Sequence, residues 1–229
     1  NETSFMLSES KAFIEGMNQE MISTIIYGNG GTSPEEFTGL AVRYSSTSAG
    51  NGQNVILSDA SPSGSCTSIF LVAWSPETIH GIFPKGSIAG LQHNEYGEET
   101  VETTAGIAGS RMRALRSRFQ WKAGLVVKDW RYGVRIANID ISDEIAAPTP
   151  GNLINLMDRA EENLPSTAGN RVFYCNRVIK RLLRQQVRNN VAGGGGLTYE
   201  NVAGHPVLSF DGIPVRTVDA ILNSESTLS

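Results

Sequence analysis

The middle of the chain reads Arg118-Phe119-Gln120-Trp121-Lys122 and then Lys128-Asp129-Trp130-Arg131-Tyr132-Gly133-Val134-Arg135-Ile136. From Phe119 to Val127, apolar side chains alternate with a second set that is mainly polar but includes Gly124 and Val126, which is the period of two that a half-buried strand requires. After Asp129 the alternation shifts by one residue. A bulge or tight bend near Asp129 would keep both apolar runs on one core face. The stretch therefore predicts long β-structure with a polar outer face.

The polar side of this region is strongly basic. We assign eight residues to it, namely Arg111, Arg113, Arg116, Arg118, Lys122, Lys128, Arg131 and Arg135. Two interpretations stay open, a strip that contacts another subunit or nucleic acid, and an ordinary solvated sheet face. The spacing matches no base-reading helix, which argues against sequence-specific DNA recognition.

Charge is distributed unevenly along the 229 residues, although the net charge is only −4. Residues 1–110 carry three basic and 12 acidic side chains, whereas residues 111–229 carry 16 basic and 11 acidic ones. Such a dipolar chain can attract copies of itself or place one sign on each side of a shell, and the alternative is a set of solvated faces. A net acidic monomer is expected to bind DNA poorly.

Several classes of protein are disfavoured by composition. No run of about 18 apolar residues occurs, and the first residues lack the pattern of a secretory signal, so we expect neither membrane insertion nor export. Cys66 and Cys175 lie far apart without a zinc-ligand spacing, and both are expected to be buried thiols. We expect no metal and no cofactor.

Helix signals occur in three places. Ser8 or Ser10 can cap a helix that has one broad apolar face and ends at Gly28. Thr149-Pro150 predicts the start of a second helix, whose apolar stripe is Leu153, Leu156, Met157, Ala160 and Leu164. Asn176 can cap a third, strongly basic helix.

Strand signals lie between and after these helices. Residues 28–66 indicate a loop with one short strand, residues 69–74 a strand buried on both faces, and residues 172–175 another strand. Asp211-Gly212 between apolar runs predicts a two-residue hairpin. Pro214 predicts an edge position for the second strand of that hairpin. The fold class is therefore α+β.

The chain carries no recognisable catalytic pattern. His80, His93 and His205 lie beside no ligand spacing or nucleophile motif, and neither glycine-rich stretch ends in the Gly-Lys-Ser/Thr of a phosphate loop. One acidic cluster consists of Glu95, Glu98, Glu99 and Glu102. We interpret it as a solvent-facing loop or as the acidic half of an intersubunit salt bridge.

Five blocks of sequence carry a resemblance to a known family. They are residues 13–20 with 27–29, the run Gly81-Ile82-Phe83-Pro84-Lys85-Gly86, residues 118–122, residues 128–140 and residues 212–222. In this order they resemble the major capsid proteins of short-tailed double-stranded DNA bacteriophages, which have the HK97-like coat fold. No single block is a chemical motif.

The resemblance implies a structural protein of the phage virion, made in the host cytoplasm. It implies a spine helix at residues 8–28 and long strands of a peripheral domain at 111–140. We expect residues 1–148 to hold the spine helix and peripheral elements, 149–210 axial-domain elements, and 211–229 a strand that returns to the core. The implied function is self-assembly into pentamers and hexamers of an icosahedral head.

The partners implied are other copies of the chain, double-stranded DNA contacted without specificity, and scaffolding, portal and cement proteins, with no membrane. Coat proteins of this family carry an N-terminal arm and an extended loop before the spine helix, so we expect the sequence to be a fragment or a processed product that assembles weakly alone. Two other functions remain open. One is a nucleic-acid-binding domain, and the other is a hydrolase that pairs His80 with Ser65 or Ser75.

Overall fold

The computed structural model describes residues 2–59, 62, 65–103, 109–146, 152–165, 169–189, 197–202 and 205–228. Within these ranges five α-helices and 11 strands follow one another along the chain. They are α1 (Glu2–Tyr27), α2 (Leu40–Arg43), β1 (Val55–Leu57), β2 (Cys66–Trp74), β3 (Ile79–Ile82), β4 (Leu91–Glu102), β5 (Arg111–Trp121), β6 (Gly124–Val127), β7 (Gly133–Asp140), α3 (Ile141–Ala146), α4 (Asn152–Glu162), β8 (Asn170–Cys175), α5 (Arg177–Asn189), β9 (Leu197–Val202), β10 (His205–Phe210) and β11 (Ile213–Thr217). The α+β class predicted from the sequence is confirmed.

One mixed sheet forms the centre of the fold. Its strands are ordered β1-β7-β2-β8-β11-β10-β9, with β3 paired to β2 and to β6. Strand β2 is an inner strand and is antiparallel to both β7 and β8. Its residues from Cys66 to Ala73 are buried, which confirms the prediction of a strand covered on both faces.

Helices cover the two faces of this sheet. On one face α4 and α5 pack against Ile69, Leu71 and Phe173. On the other face, Phe70 and the other side chains that point to that face are covered by Ile26 of α1, by helix α2 and by the C-terminal segment. The side chains of β2 alternate between the two cores because successive residues of a strand point to opposite faces.

The chain divides into two units. Unit 1 consists of residues 1–15 and 81–124, and unit 2 of residues 16–80 and 125–229. Unit 1 contains the first half of α1 and a long ribbon in which β4 and β5 pair antiparallel. Unit 2 contains the two cores described above.

The predicted bend near Asp129 is present, but the long β-structure is interrupted. A single 3₁₀ turn over Trp130–Tyr132 separates β6 from β7, and the Asp129 carboxylate accepts a hydrogen bond from the backbone N–H of Arg131 at 3.0 Å. Strand β5 belongs to the separate β4–β5 ribbon. The expectation of one core face shared along the whole stretch is therefore wrong.

Local capping and turn chemistry agree with the sequence. The side chain of Asn176 accepts a hydrogen bond from the backbone N–H of Ile179 at 2.8 Å, which caps α5. Asp211 and Gly212 both have positive φ, as a type I′ turn requires. The apolar stripe predicted for α4 is buried. Helix α1 begins earlier than predicted, at Glu2, while Thr149-Pro150 and residues 193–196 lie outside the described residues.

Pro214 is not on an edge strand. Strand β11 lies between β8 and β10, so the sequence-based expectation is wrong. Pro214 pairs with Ser209 one step beyond the turn, where the two residues exchange no backbone hydrogen bonds and each N–H position points away from the partner strand. Pairing with β8 begins one residue later, at Val215. The missing N–H of Pro214 therefore removes no bond from the ladder.

Candidate intersubunit contact surface

The β4–β5 ribbon places the acidic cluster opposite half of the basic set. Register pairs Glu95 with Ser117, Glu99 with Ala114 and Glu102 with Arg111, so an acidic strand lies along a basic one. The cluster is part of a 12-residue strand, which corrects the expectation of a loop. Residues 91–102 show no apolar alternation because this strand is largely exposed on both faces, and the sequence pattern therefore could not reveal it.

Two ion pairs cross the ribbon within the same chain. Arg113 approaches Glu98 at 3.4 Å and Arg116 approaches Glu99 at 2.8 Å. The second pair holds the pKa of Arg116 above its usual range, chiefly through the hydrogen bond to the Glu99 carboxylate. Because all four side chains reach solvent, each pair contributes little to folding stability. Their charges remain accessible to a partner.

The ribbon separates the predicted basic strip into two faces. Arg111 and Arg113 share a face with Glu98, Leu115 and Phe119, whereas Arg116 and Arg118 share the opposite face with Glu99 and Met112. A shift of register after Glu95 leaves Tyr96 as the extra residue, and the Arg116 guanidinium lies 5.4 Å from the centre of the Tyr96 ring. Each face therefore combines apolar side chains with both signs of charge.

Unit 1 exposes an unusual amount of apolar surface. Eight large apolar residues of the unit are exposed in the described part of the chain, namely Phe5, Phe13, Ile82, Phe83, Ile88, Tyr96, Met112 and Leu115. Only three others, Ile22, Ile145 and Leu222, lie in unit 2. Among the described residues of unit 1, no apolar side chain is fully buried.

Such a ribbon needs a covering partner. A two-stranded antiparallel ribbon is at best marginally stable in water unless another element covers one face. In unit 1 a shallow cavity of about 270 Å³ is lined by Met6, Glu9, Ser10 and Phe13 of α1 together with Leu115, Ser117 and Phe119. Phe13 remains 66% exposed there. The ribbon faces therefore combine exposed apolar side chains with charged ones, a composition that is typical of protein interfaces.

The remaining basic candidates lie outside the ribbon. Lys122 is exposed after β5. Lys128 approaches Glu77 at 3.6 Å and donates to the Pro76 carbonyl at 2.7 Å. Arg131 forms a close pair with Asp129 at 2.6 Å, which lowers the pKa of that carboxyl below its usual range. The structure therefore does not join these three residues to the ribbon set.

The alternation predicts that Arg135 lies on the polar outer face of the strand, and this prediction is wrong. Its side chain is 5% exposed, donates to the carbonyls of Ala41 and Tyr44, and pairs with Glu225 at 2.9 Å. Strand β7 is buried throughout because helices cover both faces of the sheet, so alternation carries no information there. Sequence reasoning also missed Glu225, which no local pattern distinguishes.

Glu225 is the centre of a buried polar cluster. Its carboxylate accepts hydrogen bonds from Tyr27 and Ser68 as well as from Arg135. Burial, followed by the hydrogen bond to Glu225, raises the pKa of Tyr27 above its usual range. The cluster joins α1, β2, β7 and the C-terminal segment, so its role is to hold these elements together.

In the described part of the chain, no hydrogen bond joins His80 to Ser65 or Ser75. His93 stacks on Phe119 with ring centres 4.5 Å apart, and the buried Nδ1 of His80 has no hydrogen-bond partner within the described ranges. No group of three or more metal-ligating side chains occurs in that part of the chain. Cys66 and Cys175 are buried thiols, as predicted, and burial raises the pKa of Cys175 to about 12. Where residues are described, no helix has the length and apolar character needed to span a membrane.

Comparison with known proteins gives a family and a fold. The family described as Major capsid protein GP7 matches residues 1–229. A chain in the near-atomic resolution cryo-EM structure of bacteriophage epsilon15 is 31% identical and superposes with a TM-score of 0.74, covering 100% of this chain and 68% of that one. No curated protein matches. The HK97-like coat fold implied by the sequence resemblance is confirmed.

Proposed function

Because the chain belongs to the Major capsid protein GP7 family and is a structural protein of the phage virion, we propose that it associates into pentamers and hexamers that close an icosahedral head around double-stranded DNA. Rings of identical subunits require head-to-tail interfaces, in which one surface of a subunit meets a different surface of the next. The assembly surface must therefore be complementary to a second patch elsewhere on the same chain.

One observation supports this proposal above the others. The β4–β5 ribbon exposes Tyr96, Met112 and Leu115 between opposed rows of acidic and basic side chains, and its unit has no fully buried apolar residue in the described part of the chain. Apolar centres with polar rims are the usual composition of stable protein interfaces. We propose that a neighbouring copy covers this ribbon.

The charges of the ribbon then set the register of the contact. Arg113, Arg116, Glu98 and Glu99 already pair within the chain, so a neighbour can join these pairs into a network at the rim. Arg111, Arg118, Glu95 and Glu102 complete the rim, and Lys122, Lys128 and Arg131 are separate candidates for subunit contact. Rim charges mainly control specificity and association rate, whereas the apolar side chains supply affinity.

The test replaces apolar side chains of the ribbon by charged ones. The double variant Tyr96→Asp/Met112→Asp is expected to reduce the apparent association constant at least about 10-fold, since each change places a carboxylate in an apolar contact. Sedimentation velocity and negative-stain electron microscopy measure the loss of rings and shells. Ile145→Asp is the matched control because Ile145 is similarly exposed, at 52%, but lies in unit 2.

Two outcomes would contradict the ribbon contact. One is an unchanged particle distribution in the double variant, and the other is an equal loss in the Ile145→Asp control. A wild-type chain that stays monomeric at high concentration, with scaffolding protein supplied, would contradict self-assembly itself.

We further propose a role without catalytic turnover, with packaged DNA contacted non-specifically and with scaffolding, portal and cement proteins as partners of the shell. Substitution of His80 by Ala is then expected to leave assembly unchanged. A hydrolytic activity that is lost on this substitution would instead contradict the proposal. Affinity for DNA that falls steeply with salt in the isolated chain would instead favour a nucleic-acid-binding domain. The division into peripheral residues 1–148, axial residues 149–210 and a returning segment 211–229 stays a prediction.

A further inference from the structure

Helix α5 presents a basic cleft on the outside of unit 2. The cleft has a volume of about 840 Å³ and lies between the helix and the turn after β11, where Arg177, Lys180, Arg181, Arg184 and Asp219 line it. Ile179, Leu182 and Leu183 anchor the opposite side of the helix in the core. The cations therefore point away from the sheet on one continuous face.

The cleft already accepts a carboxylate at one end. Arg177 pairs with Asp219 at 2.6 Å. In the described part of the chain, Lys180, Arg181 and Arg184 form no ion pair. Lys180 and Arg184 are four residues apart, a spacing at which like charges repel on a helix. A further acidic group would relieve this repulsion.

A matching acidic surface occurs on α4 of the same unit. Asp158 and Glu162 are exposed and lie one helical turn apart, while Leu153, Leu156 and Met157 hold the other side of the helix in the core. Neighbouring Glu161 is already paired with Arg171 at 2.6 Å. Arg159 partly offsets the acidic charge, but the outer face of α4 remains acidic.

The two surfaces lie at different lateral positions on the sheet. Helix α4 packs over β7, helix α5 packs over β11, and strands β2 and β8 lie between those strands. With about 4.8 Å between neighbouring strands, the two contact positions are separated by roughly 15 Å. An acidic and a basic helix on one layer are the two different patches that a head-to-tail contact joins.

We propose that the basic cleft of α5 receives the acidic face of α4 from a neighbouring copy. This contact rests on the proposed self-assembly and adds a second, electrostatic interface to it. Nucleic acid fits the cleft less well, because Asp219 places a carboxylate inside it and the chain as a whole is acidic, at −4. The complementary carboxylates, in contrast, are present on every copy.

Charge reversal on each side tests the pairing. Arg181→Glu/Arg184→Glu makes the side chains that line the α5 cleft net acidic, like the outer face of α4. Asp158→Arg/Glu162→Arg makes the outer face of α4 basic, like the cleft. Each variant alone is therefore expected to lose at least about 10-fold in apparent association constant. The quadruple variant restores opposite charges and is expected to recover ring assembly. Native mass spectrometry and sedimentation velocity measure the oligomers, and thermal unfolding confirms that each variant is folded.

A mixture of the two double variants gives a sharper prediction. Favourable contacts then form only between unlike copies, so the mixture is expected to close rings with an even number of members, hexamers included, and to form no pentamers. Lys85→Glu/Arg216→Glu is the control, because it changes net charge by the same amount at two exposed positions that belong to neither helix and do not line the cleft.

The outcomes separate this contact from self-assembly in general. Shells from wild type and from both reversed variants alike would overturn the pairing while leaving the proposed function intact. A quadruple variant that is folded but does not recover ring assembly would likewise overturn the pairing of α5 with α4. If Arg181→Glu/Arg184→Glu assembles normally but loses affinity for a DNA duplex, nucleic acid is the occupant and the proposal is wrong.

Discussion

At the scale of single residues, Arg135 shows how completely the environment decides the role of a side chain. The alternation around it matches that of an exposed arginine, yet Arg135 is buried with Glu225 and its guanidinium lies 5.5 Å from the centre of the Phe70 ring. Two charges removed from water are tolerated only when they are paired and fully hydrogen-bonded. Here Ser68, Tyr27 and two backbone carbonyls complete the set.

Breaking this pair is expected to be costly. Arg135→Met leaves the Glu225 carboxylate buried without its cation, and we expect the free energy of unfolding to fall by about 3–5 kcal/mol. Arg131→Met is the control, since the Arg131–Asp129 pair reaches solvent and its loss should change stability far less. Urea denaturation followed by tryptophan fluorescence measures both.

A double-mutant cycle with Glu225→Met isolates the coupling. The combined variant should lose less stability than the sum of the two single variants, because neither charge is then left unpaired. Strict additivity would show that Arg135 and Glu225 act independently, contrary to the 2.9 Å contact.

At the scale of elements, features with a local chemical cause could be predicted from the sequence. The Asn176 cap, the Asp211-Gly212 turn and the doubly buried strand β2 each depend on residues within a few positions. The ribbon could not be predicted in this way, since neither face of β4 is buried in the single chain and the strand therefore leaves no apolar period. The edge position predicted from Pro214 is wrong for another reason, because the order of the strands is a property of the whole sheet.

The type I′ turn offers a test of one element. Gly212 has φ of +77°, a conformation that residues with a Cβ adopt at a cost, so Gly212→Ala is expected to reduce stability by about 1–2 kcal/mol. Gly50→Ala is the control, because a Cβ there meets nothing within 4 Å and no positive φ occurs. Thermal unfolding compares the two, and an equal effect in both variants would exclude backbone strain as the cause.

At the scale of the whole molecule, buried and exposed apolar side chains are concentrated in different parts of the chain. Within the described residues every fully buried apolar side chain belongs to unit 2, whereas most exposed ones belong to unit 1. From the sequence, the candidate intersubunit contact surface could be predicted only as a set of charged residues, without their positions in the fold. Which charges lie on the ribbon, which on separate turns and which in the core depends on the pairing of distant segments.

This division predicts that the ribbon can be removed without unfolding the protein. Gly81 and Gly124 are adjacent, since a Cβ built on Gly81 lies 3.8 Å from the carbonyl oxygen of Gly124. A four-residue Gly/Ser linker can therefore replace residues 83–122. We expect the shortened chain to keep a single cooperative unfolding transition, because both hydrophobic cores remain, and to form no shells, because the ribbon is absent. Calorimetry and negative-stain electron microscopy measure the two properties separately. Normal shells from the shortened chain would refute the ribbon contact, and loss of cooperative unfolding would show that the cores of unit 2 depend on it.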